Sequence, residues 1–483
     1  MAFEVWMAAA EVGPLAQTGG LGDVLRALPN ALVAEGLTVR RFLPAYGFVP
    51  RRFFSPEKEH FNVPLGAGRA HVRFLSRSDP SGVTTTLVDC PELFDREEIY
   101  GPPATAYPDN AKRFTLFCRA ICEFARRRPN PPSILHGHDW PAALLPVFVK
   151  FTGTWPRPPR TVFTIHNLAY QGRFPRQELD LWSLDPSTKA NLFRPEGVEF
   201  FGGVNFLKAS LQYADRITTV SPTYAREILT PAFGEGLDGL LKTRGNHVTG
   251  ILNGADYDVW NPATDRYLAK KFTLRTLKEG KRLAQRNVRE TLKLARHNHP
   301  LVAVVGRFAF QKGVDVLLQA LPDLLPLGID LAVLGTGELS YAAEFQNYRI
   351  RYPKQVGLAA RYDDPLSHRI LAAADFLLVP SRYEPCGLSQ LYAMRYGTIP
   401  IVHRTGGMID TVVDPKQSPR DATGFCFQDL NPQGIVDAVV RALEFQRKNS
   451  MAWDAMQKRA MQADFSWSRA AKSYAEIYRD LAS

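Results

Sequence analysis

The 483-residue chain carries 59 Lys+Arg against 48 Asp+Glu, a formal net charge of +11, with 45% hydrophobic and 22% charged residues. Such a composition fills the cores of about two to four domains and excludes a disordered, collagen-like or coiled-coil chain. No run approaches the ~18 uninterrupted apolar residues of a membrane-spanning helix.

From Met1 the sequence enters an apolar, strand-like run over residues 3–10. It shows neither the basic and long apolar regions of a secretory leader nor an Arg/Ser-rich transit segment, so a cytoplasmic location is expected. The five cysteines are scattered and form no C-x-x-C pair, which fits a reducing compartment and argues against structural zinc. After a glycine-rich loop at 17–23, Leu21, Val24, Leu25, Leu28 and Leu32 recur at helical spacing, and Gly36 stands where a helix would stop. Residues 38–43 read as the next strand, followed by 85–88, 134–135, 161–165 and 217–220. A second series begins near residue 300, with strands expected at 301–305, 331–334, 376–379 and 399–402. Strands alternating with helical patterns predict parallel sheets built from βαβ units. The expected architecture is therefore α/β, two doubly wound domains in tandem with a seam near 249–258. Between the two series, residues 270–296 hold ten Lys/Arg against two Glu, a run that reads as a solvated helical surface.

Ligands of open parallel sheets sit beyond the carboxyl ends of the strands, so the polar residues just after each strand carry the chemistry. Gly19 and Gly20 let backbone N–H groups approach a ligand at a helix N-terminus, although such a turn is as often purely structural. The loop is not G-x-G-x-x-G and no acidic residue about 20 positions on caps a second strand, so dinucleotide binding is disfavoured. His136 and His138 alternate without a third ligand at convincing spacing, so no metal is expected. Asp139 beside Trp140 suits a sugar, carboxylate to hydroxyl and ring to sugar face, and suits a buried network equally well. His166, Asn167, Tyr170 and Gln171 crowd the next strand end. In the second series Arg307 and Lys312 lie five residues apart at a strand-to-helix turn, where they would converge on a diphosphate or remain solvated cations. After the strand that ends near Pro380, a helix entry near Gly387 offers N–H groups to phosphate, with Glu384 ahead of it suited to sugar hydroxyls. A plain helix-entry turn is the alternative there.

Read in order, Thr18-Gly-Gly-Leu-Gly-Asp23, His138-Asp-Trp140, the 162–172 segment ending Tyr170-Gln-Gly172, Val220-Ser-Pro-Thr-Tyr-Ala-Arg-Glu227, Leu252-Asn-Gly254 and Trp260 form one set of signatures. Gln311-Lys-Gly313, Ser367-His-Arg-Ile370, Glu384-Pro-Cys-Gly387, Tyr396-Gly-Thr398, Arg404-Thr-Gly-Gly407 and Asp464-Phe-Ser-Trp467 continue it across the chain. Together they resemble the glycogen and starch synthases, retaining glucosyltransferases of the GT-B type. The resemblance implies two Rossmann-like domains facing each other across a cleft, residues 1–248 and 249–463, with a C-terminal helix within 464–483 packing back on the first. It implies transfer of glucose from ADP-glucose to the non-reducing 4-hydroxyl of an α-1,4-glucan such as glycogen, with no metal, no organic cofactor and no nucleic-acid or membrane partner. No helix-turn-helix, RNP, KH or zinc signature accompanies the positive charge.

Carried over by position, Arg307 and Lys312 would hold the donor diphosphate and stabilise the departing nucleotide. Glu384, with the amides of Gly387 and Leu388, would fix the glucose and phosphate, and Asp139 and His166 would line the reacting face. Gln17, Gly19, Gly20, Asp23, Asn253, Tyr362, Cys386, Thr405 and Gly406 would complete the donor site. Tyr100, Trp140 and Asn167 would stand on the acceptor side. Two departures from the family pattern stand out: Gln17 replaces a phosphate-contacting Lys, and Pro141 and Ala143 replace His and Gly. Losing a charge-assisted hydrogen bond costs roughly 1.5–3 kcal/mol, or about 10- to 150-fold in rate. The expectation is a slower enzyme, the alternative a degenerate homologue that binds glucan without turnover.

Overall fold

Strands covered on both faces read as continuous apolar runs, and Val5, Trp6 and Met7 at the start of the chain are fully buried. The structure, a computed structural model, describes residues 3–102 and 105–483, so Met1, where the cytoplasmic expectation begins, lies outside the described residues. The chain divides into two units, Met1–Gly254 with Trp467–Ser483, and Ala255–Ser466.

In the first unit the strands are β1 (Glu4–Ala8), β2 (Thr38–Pro44), β3 (Ser55–Leu65), β4 (Gly68–Ser78), β5 (Thr84–Asp89), β6 (Ile134–His138) and β7 (Arg160–Ile165). β8 (Arg173–Phe174), β9 (Glu199–Phe200), β10 (Gly203–Asn205), β11 (Arg216–Thr219) and β12 (Val248–Gly250) follow. Nine of these form one sheet in the order β12-β11-β7-β6-β1-β2-β5-β4-β3, while β8, β10 and β9 form a small separate sheet. The large sheet is parallel except where the β3–β4 hairpin adds antiparallel to β5. The sequence reading omits that hairpin. Along β3 exposed and half-buried residues alternate and charges interrupt the apolar pattern, so no buried run marks the strand.

The second unit carries β13 (Leu301–Val305), β14 (Asp330–Leu334), β15 (Val356–Ala359), β16 (Phe376–Val379), β17 (Ile399–His403) and β18 (Phe425–Phe427), in the order β15-β14-β13-β16-β17-β18. Every pairing is parallel. Numbered within the unit this is 3-2-1-4-5-6, the doubly wound Rossmann order, which reverses direction between β13 and β16. In the first unit the same reversal falls between β1 and β6, since β2 and β5 lie to one side and β7, β11 and β12 to the other. Each sheet thus has one place where the loops leaving two adjacent strands diverge, and a ligand crevice belongs there.

The first helix, Gly20–Ala34, buries Leu21, Val24, Leu25, Leu28 and Leu32 on one face and gives way to Gly36 at φ +85°. The last, Trp467–Ala482, belongs to the first unit: Tyr478 lies 2.7 Å from His136 Nδ1, and Arg216 pairs with Asp480 at 3.1 Å. The basic run is a helix, Leu277–Leu292, but not an entirely solvated one. Lys281 is buried and donates to Thr398 Oγ1 (2.7 Å), Ala372 O (3.2 Å) and Tyr396 O (3.4 Å). Arg289 is buried too and pairs with Asp330. Both long side chains lie inward and spend their charge on carbonyls or a carboxylate, an arrangement that residue counts along a helix cannot show. Among the described residues no helix is long and apolar enough to cross a membrane.

Candidate active site

In the second unit the reversal brings the loop after β13 against the loop after β16. A single tight turn, Phe310–Lys312, ends at Gly313 with φ +65°. A Cβ on Gly313 would stand 1.9 Å from Pro380 O, so only glycine lets this turn lie on the end of β16. Lys312 Nζ then reaches Glu384 Oε2 at 2.5 Å, and Ser381 Oγ donates to the same oxygen at 2.9 Å. Arg382 fastens the two loops: its N–H donates to Gln311 O (2.9 Å) and its guanidinium to Phe310 O (2.7 Å). The same guanidinium forks onto Asp315 with two 2.6 Å bonds and stacks 3.5 Å above the Phe310 ring. A bidentate pair of this kind fixes orientation as well as distance. Gln311 Nε2 adds a 3.3 Å bond to Tyr383 O.

A third loop closes on these two. Gly407 N donates to Glu384 O at 3.1 Å, and a Cβ there would meet Cys386 O at 2.1 Å. Thr405 and Cys386 are buried, and Gly406 and Gly387 adopt φ of +45° and +72°. Leu388 stands at the N-cap of the helix Ser389–Arg395, and Gln390 Nε2 binds back to Gly387 O at 2.9 Å. Arg307 is exposed just past β13, and Tyr362, past β15, is 75% exposed. Tyr392, eight residues past Glu384, is buried and stacks on Trp260 at 4.1 Å between ring centroids, so it packs in the core. Sequence reasoning gave Ser381, Arg382 and Asp315 no role, and the Arg382–Asp315 pair joins residues 67 positions apart in the chain.

In the first unit the loop after β1 and the segment after β5 that carries Tyr100 come together around a residue the sequence reading overlooked. Glu11 is 4% exposed, and its Oε2 accepts the backbone N–H of Thr18 (2.8 Å) and Gly19 (3.0 Å). Its Oε1 accepts the hydroxyls of Thr18 (2.8 Å) and Tyr100 (2.9 Å). Burial, reinforced by the Glu11 charge, holds the Tyr100 phenol protonated. The glycine-rich loop is therefore clamped from beneath by a carboxylate, with Gly20 and Asp23 in the first turn of the helix above it and Asp23 2.9 Å from Arg26. Gln17 folds back across the loop, Nε2 to Gly19 O at 3.2 Å, its stem against Gly22.

Asp139 follows β6 with φ +56° and ψ 176°. That conformation is almost confined to glycine and costs a non-glycine residue about 1–3 kcal/mol. Asp139 Oδ1 holds the strain by accepting His166 N (2.8 Å) and Asn167 N (3.4 Å). Burial raises the carboxyl to about 7, against the pull of those two amides. Asn167 turns its own Oδ1 to Ala169 N at 3.1 Å. His166 Nε2 lies 3.0 Å from His138 Nδ1, and burial depresses the His166 imidazole to about 3. Trp140 is wedged among Phe114, Phe174 and Tyr100, with Gly172 beneath it. At the end of β12, Asn253 is buried, and its Oδ1 has no hydrogen-bond partner among the described residues. The described residues hold one cluster with metal-like spacing, His297, His299 and Asp330. It lies at the opposite ends of the strands, where Asp330 already pairs with Arg289.

The raised Asp139 carboxyl carries a signed prediction. A carboxyl whose folded-state value lies above its unfolded one loses stability as pH rises through the folded value. Wild-type protein and Asp139→Asn should therefore unfold at the same temperature near pH 4. The variant should gain progressively up to pH 7 and hold a lead of about 10 °C above it, because a carboxyl raised to about 7 corresponds to ~4 kcal/mol. Thermal unfolding at pH 4, 6 and 8 measures the difference, and a gap that does not grow with pH contradicts the assignment.

Known proteins resemble the chain along its whole length. Residues 4–243 match the family model described as starch synthase catalytic domain, and residues 290–459 match that for glycosyl transferases group 1. Glycogen synthase 2 of Geobacter metallireducens is 41% identical over 488 residues, covering 99% of each chain. A glycogen synthase of Yersinia enterocolitica is 42% identical over 483 residues, covering 98% of each. Among solved structures, the catalytic domain of starch synthase IV from Arabidopsis thaliana, bound to ADP and acarbose, matches with a TM-score of 0.92 at 32% identity over the whole of both chains. A sucrose-phosphate synthase from Thermosynechococcus elongatus, at 17% identity and a TM-score of 0.61, shares the fold alone.

Proposed function

The chain belongs to the glycogen and starch synthase family, and from that premise we propose that it extends α-1,4-glucan by passing glucose from ADP-glucose to a non-reducing 4-hydroxyl, with retention of configuration. The observation that carries this reading is the Lys312–Glu384 pair, held by Ser381, Arg382 and Gln311 at the strand-order reversal of the second unit. When the bond from the anomeric carbon to the phosphate oxygen breaks, negative charge grows on the departing ADP. Lys312 and Arg307 neutralise it, and because the loop bonds already fix Lys312, no reorganisation is needed at that moment. Glu384 accepts hydroxyls of the glucosyl group, with the amides of Gly387 and Leu388 directed at phosphate. In the first unit His166, uncharged at neutral pH, serves as a hydrogen-bonding group for the sugar rather than as an acid. Asp139 holds the His166 backbone in place. ADP in the Arabidopsis relative supports adenine over uracil in the donor. Five buried, unbridged cysteines suit a reducing cytoplasm.

A donor panel tests the proposal. Purified protein with glycogen and ADP-, UDP- or GDP-glucose should release nucleotide fastest from ADP-glucose, and release from none of them would overturn the reading. The degenerate alternative draws no support from full-length identity of about 41% to glycogen synthases. Gln17 gives the finer test. Its side chain braces the loop and fills the space that Gly13 and Gly22 leave for it. Gln17→Lys should raise kcat/KM for ADP-glucose by about tenfold, the low end of a charge-assisted hydrogen bond. An unchanged or lower value would make bracing the whole role of Gln17.

A further inference from the structure

We propose that His138 is a positioning residue that sets the tautomer of His166, so that His166 presents Nδ1–H, a donor, to the sugar. The inference rests on the reading above that His166 meets the sugar, and goes beyond it by fixing which face of the hydrogen bond the enzyme supplies.

His138 is the last residue of β6 and is fully buried. Its Nδ1 faces His166 Nε2 at 3.0 Å, which commits one nitrogen of each ring and leaves His166 Nδ1 for a ligand. Burial pushes both imidazoles far below their usual range, so two neutral rings share a single hydrogen across the contact. Two assignments exist. If His166 Nε2 carries that hydrogen, neutral His138 must hold its own on Nε2. That nitrogen is buried without a partner among the described residues, so the arrangement would bury an orphaned N–H. If His138 Nδ1 carries the hydrogen, its Nε2 is a bare lone pair. Orphaned buried N–H groups are rarer in folded proteins than under-used acceptors, which selects the second assignment. His166 then holds its hydrogen on Nδ1.

The neighbours leave His138 no other role. His136 packs against it with ring centroids 4.0 Å apart, yet both His136 nitrogens are engaged, Nδ1 with Tyr478 OH (2.7 Å) and Nε2 with Thr164 Oγ1 (2.6 Å). Thr164 Oγ1 in turn meets Thr218 Oγ1 at 2.6 Å. With this network filled, the side-chain hydrogen bond of His138 among the described residues is that with His166.

Three variants and a spectroscopic readout test the proposal. ¹⁵N-histidine spectra of the wild-type protein should show His166 protonated at Nδ1. His138→Asn places an amide N–H where Nδ1 stood and should keep kcat/KM for ADP-glucose within about threefold of wild type. His138→Phe removes the donor and His138→Asp reverses the hydrogen. Each should lower kcat/KM by about 10- to 100-fold, the worth of one mis-set buried hydrogen bond, while unfolding temperatures stay close to that of His138→Asn. A wild-type spectrum with the hydrogen on Nε2 would overturn the proposal, as would equal losses in His138→Asn and His138→Phe at matched unfolding temperatures. Should His138→Phe fail to fold, the wild-type spectrum still decides. Full activity in His166→Ala would defeat the underlying reading instead and leave the tautomer result standing on its own.

Discussion

Lys312→Ala should lower kcat/KM for glucose transfer by about 10²–10³, the loss that follows removal of one preorganised charge stabiliser. The effect should fall mainly on kcat, because the ammonium is needed most when charge collects on the departing diphosphate. Stability should suffer as well. The Glu384 side chain is 9% exposed, and without Lys312 its carboxylate keeps, among the described residues, the Ser381 hydroxyl. Breaking a buried pair by removing one partner costs about 3–5 kcal/mol, and the 27% exposure of Lys312 places this pair toward the low end. The double variant Lys312→Ala/Glu384→Ala should therefore be more stable than Lys312→Ala alone and equally inactive. Steady-state kinetics with ADP-glucose and glycogen, together with thermal unfolding, separate the two effects. Retention of more than a tenth of the activity in Lys312→Ala would remove the pair from the mechanism.

The second large effect is expected at Glu11, which the proposed chemistry does not touch. Its carboxylate accepts four hydrogen bonds from Thr18, Gly19 and Tyr100. Hydrogen bonds to a charged group contribute about 1.5–3 kcal/mol each, and within one network they are not additive. Glu11→Ala should cost roughly 4 kcal/mol of stability and about 100-fold in kcat/KM by freeing the glycine loop. Glu11→Gln keeps an acceptor oxygen for the two backbone N–H groups and turns an NH₂ toward the Thr18 and Tyr100 hydroxyls, which must reverse to accept, so it should fall between wild type and Glu11→Ala. Amide exchange at Thr18 and Gly19 reads the clamp directly: protection should drop in both variants. Unchanged protection would show that the loop is ordered by something else.

Much of the architecture was legible because buried parallel strands announce themselves as short apolar runs. The strands expected at 301–305 and 376–379 coincide with β13 and β16, and from them the rule that ligands gather at strand carboxyl ends points straight to residues 307–313 and 381–388. What stayed hidden is pairwise. Glu11 gives no local signal, since an acid after a buried strand is unremarkable until Tyr100, 89 residues on, is found bonded to it. Arg382 and Asp315 are separated by 67 residues, and His138 and His166 by 28. The β3–β4 hairpin escaped for another reason: half-buried strands at a sheet edge carry alternating charges that mimic a loop.

The first unit is assembled from both ends of the chain. His136 stands on a central strand, and the phenol that satisfies it comes from Tyr478, in the closing helix. During synthesis at about 5–20 residues per second, ten seconds or more separate the emergence of Gly254 from that of Tyr478. Throughout that interval the lobe made first lacks its final piece, while the lobe made second gains its last strand at Phe425–Phe427, before the closing helix emerges. Completion in the cell therefore runs against the order of translation, and a nascent chain stalled near residue 460 would expose the very groove that the closing helix is meant to fill.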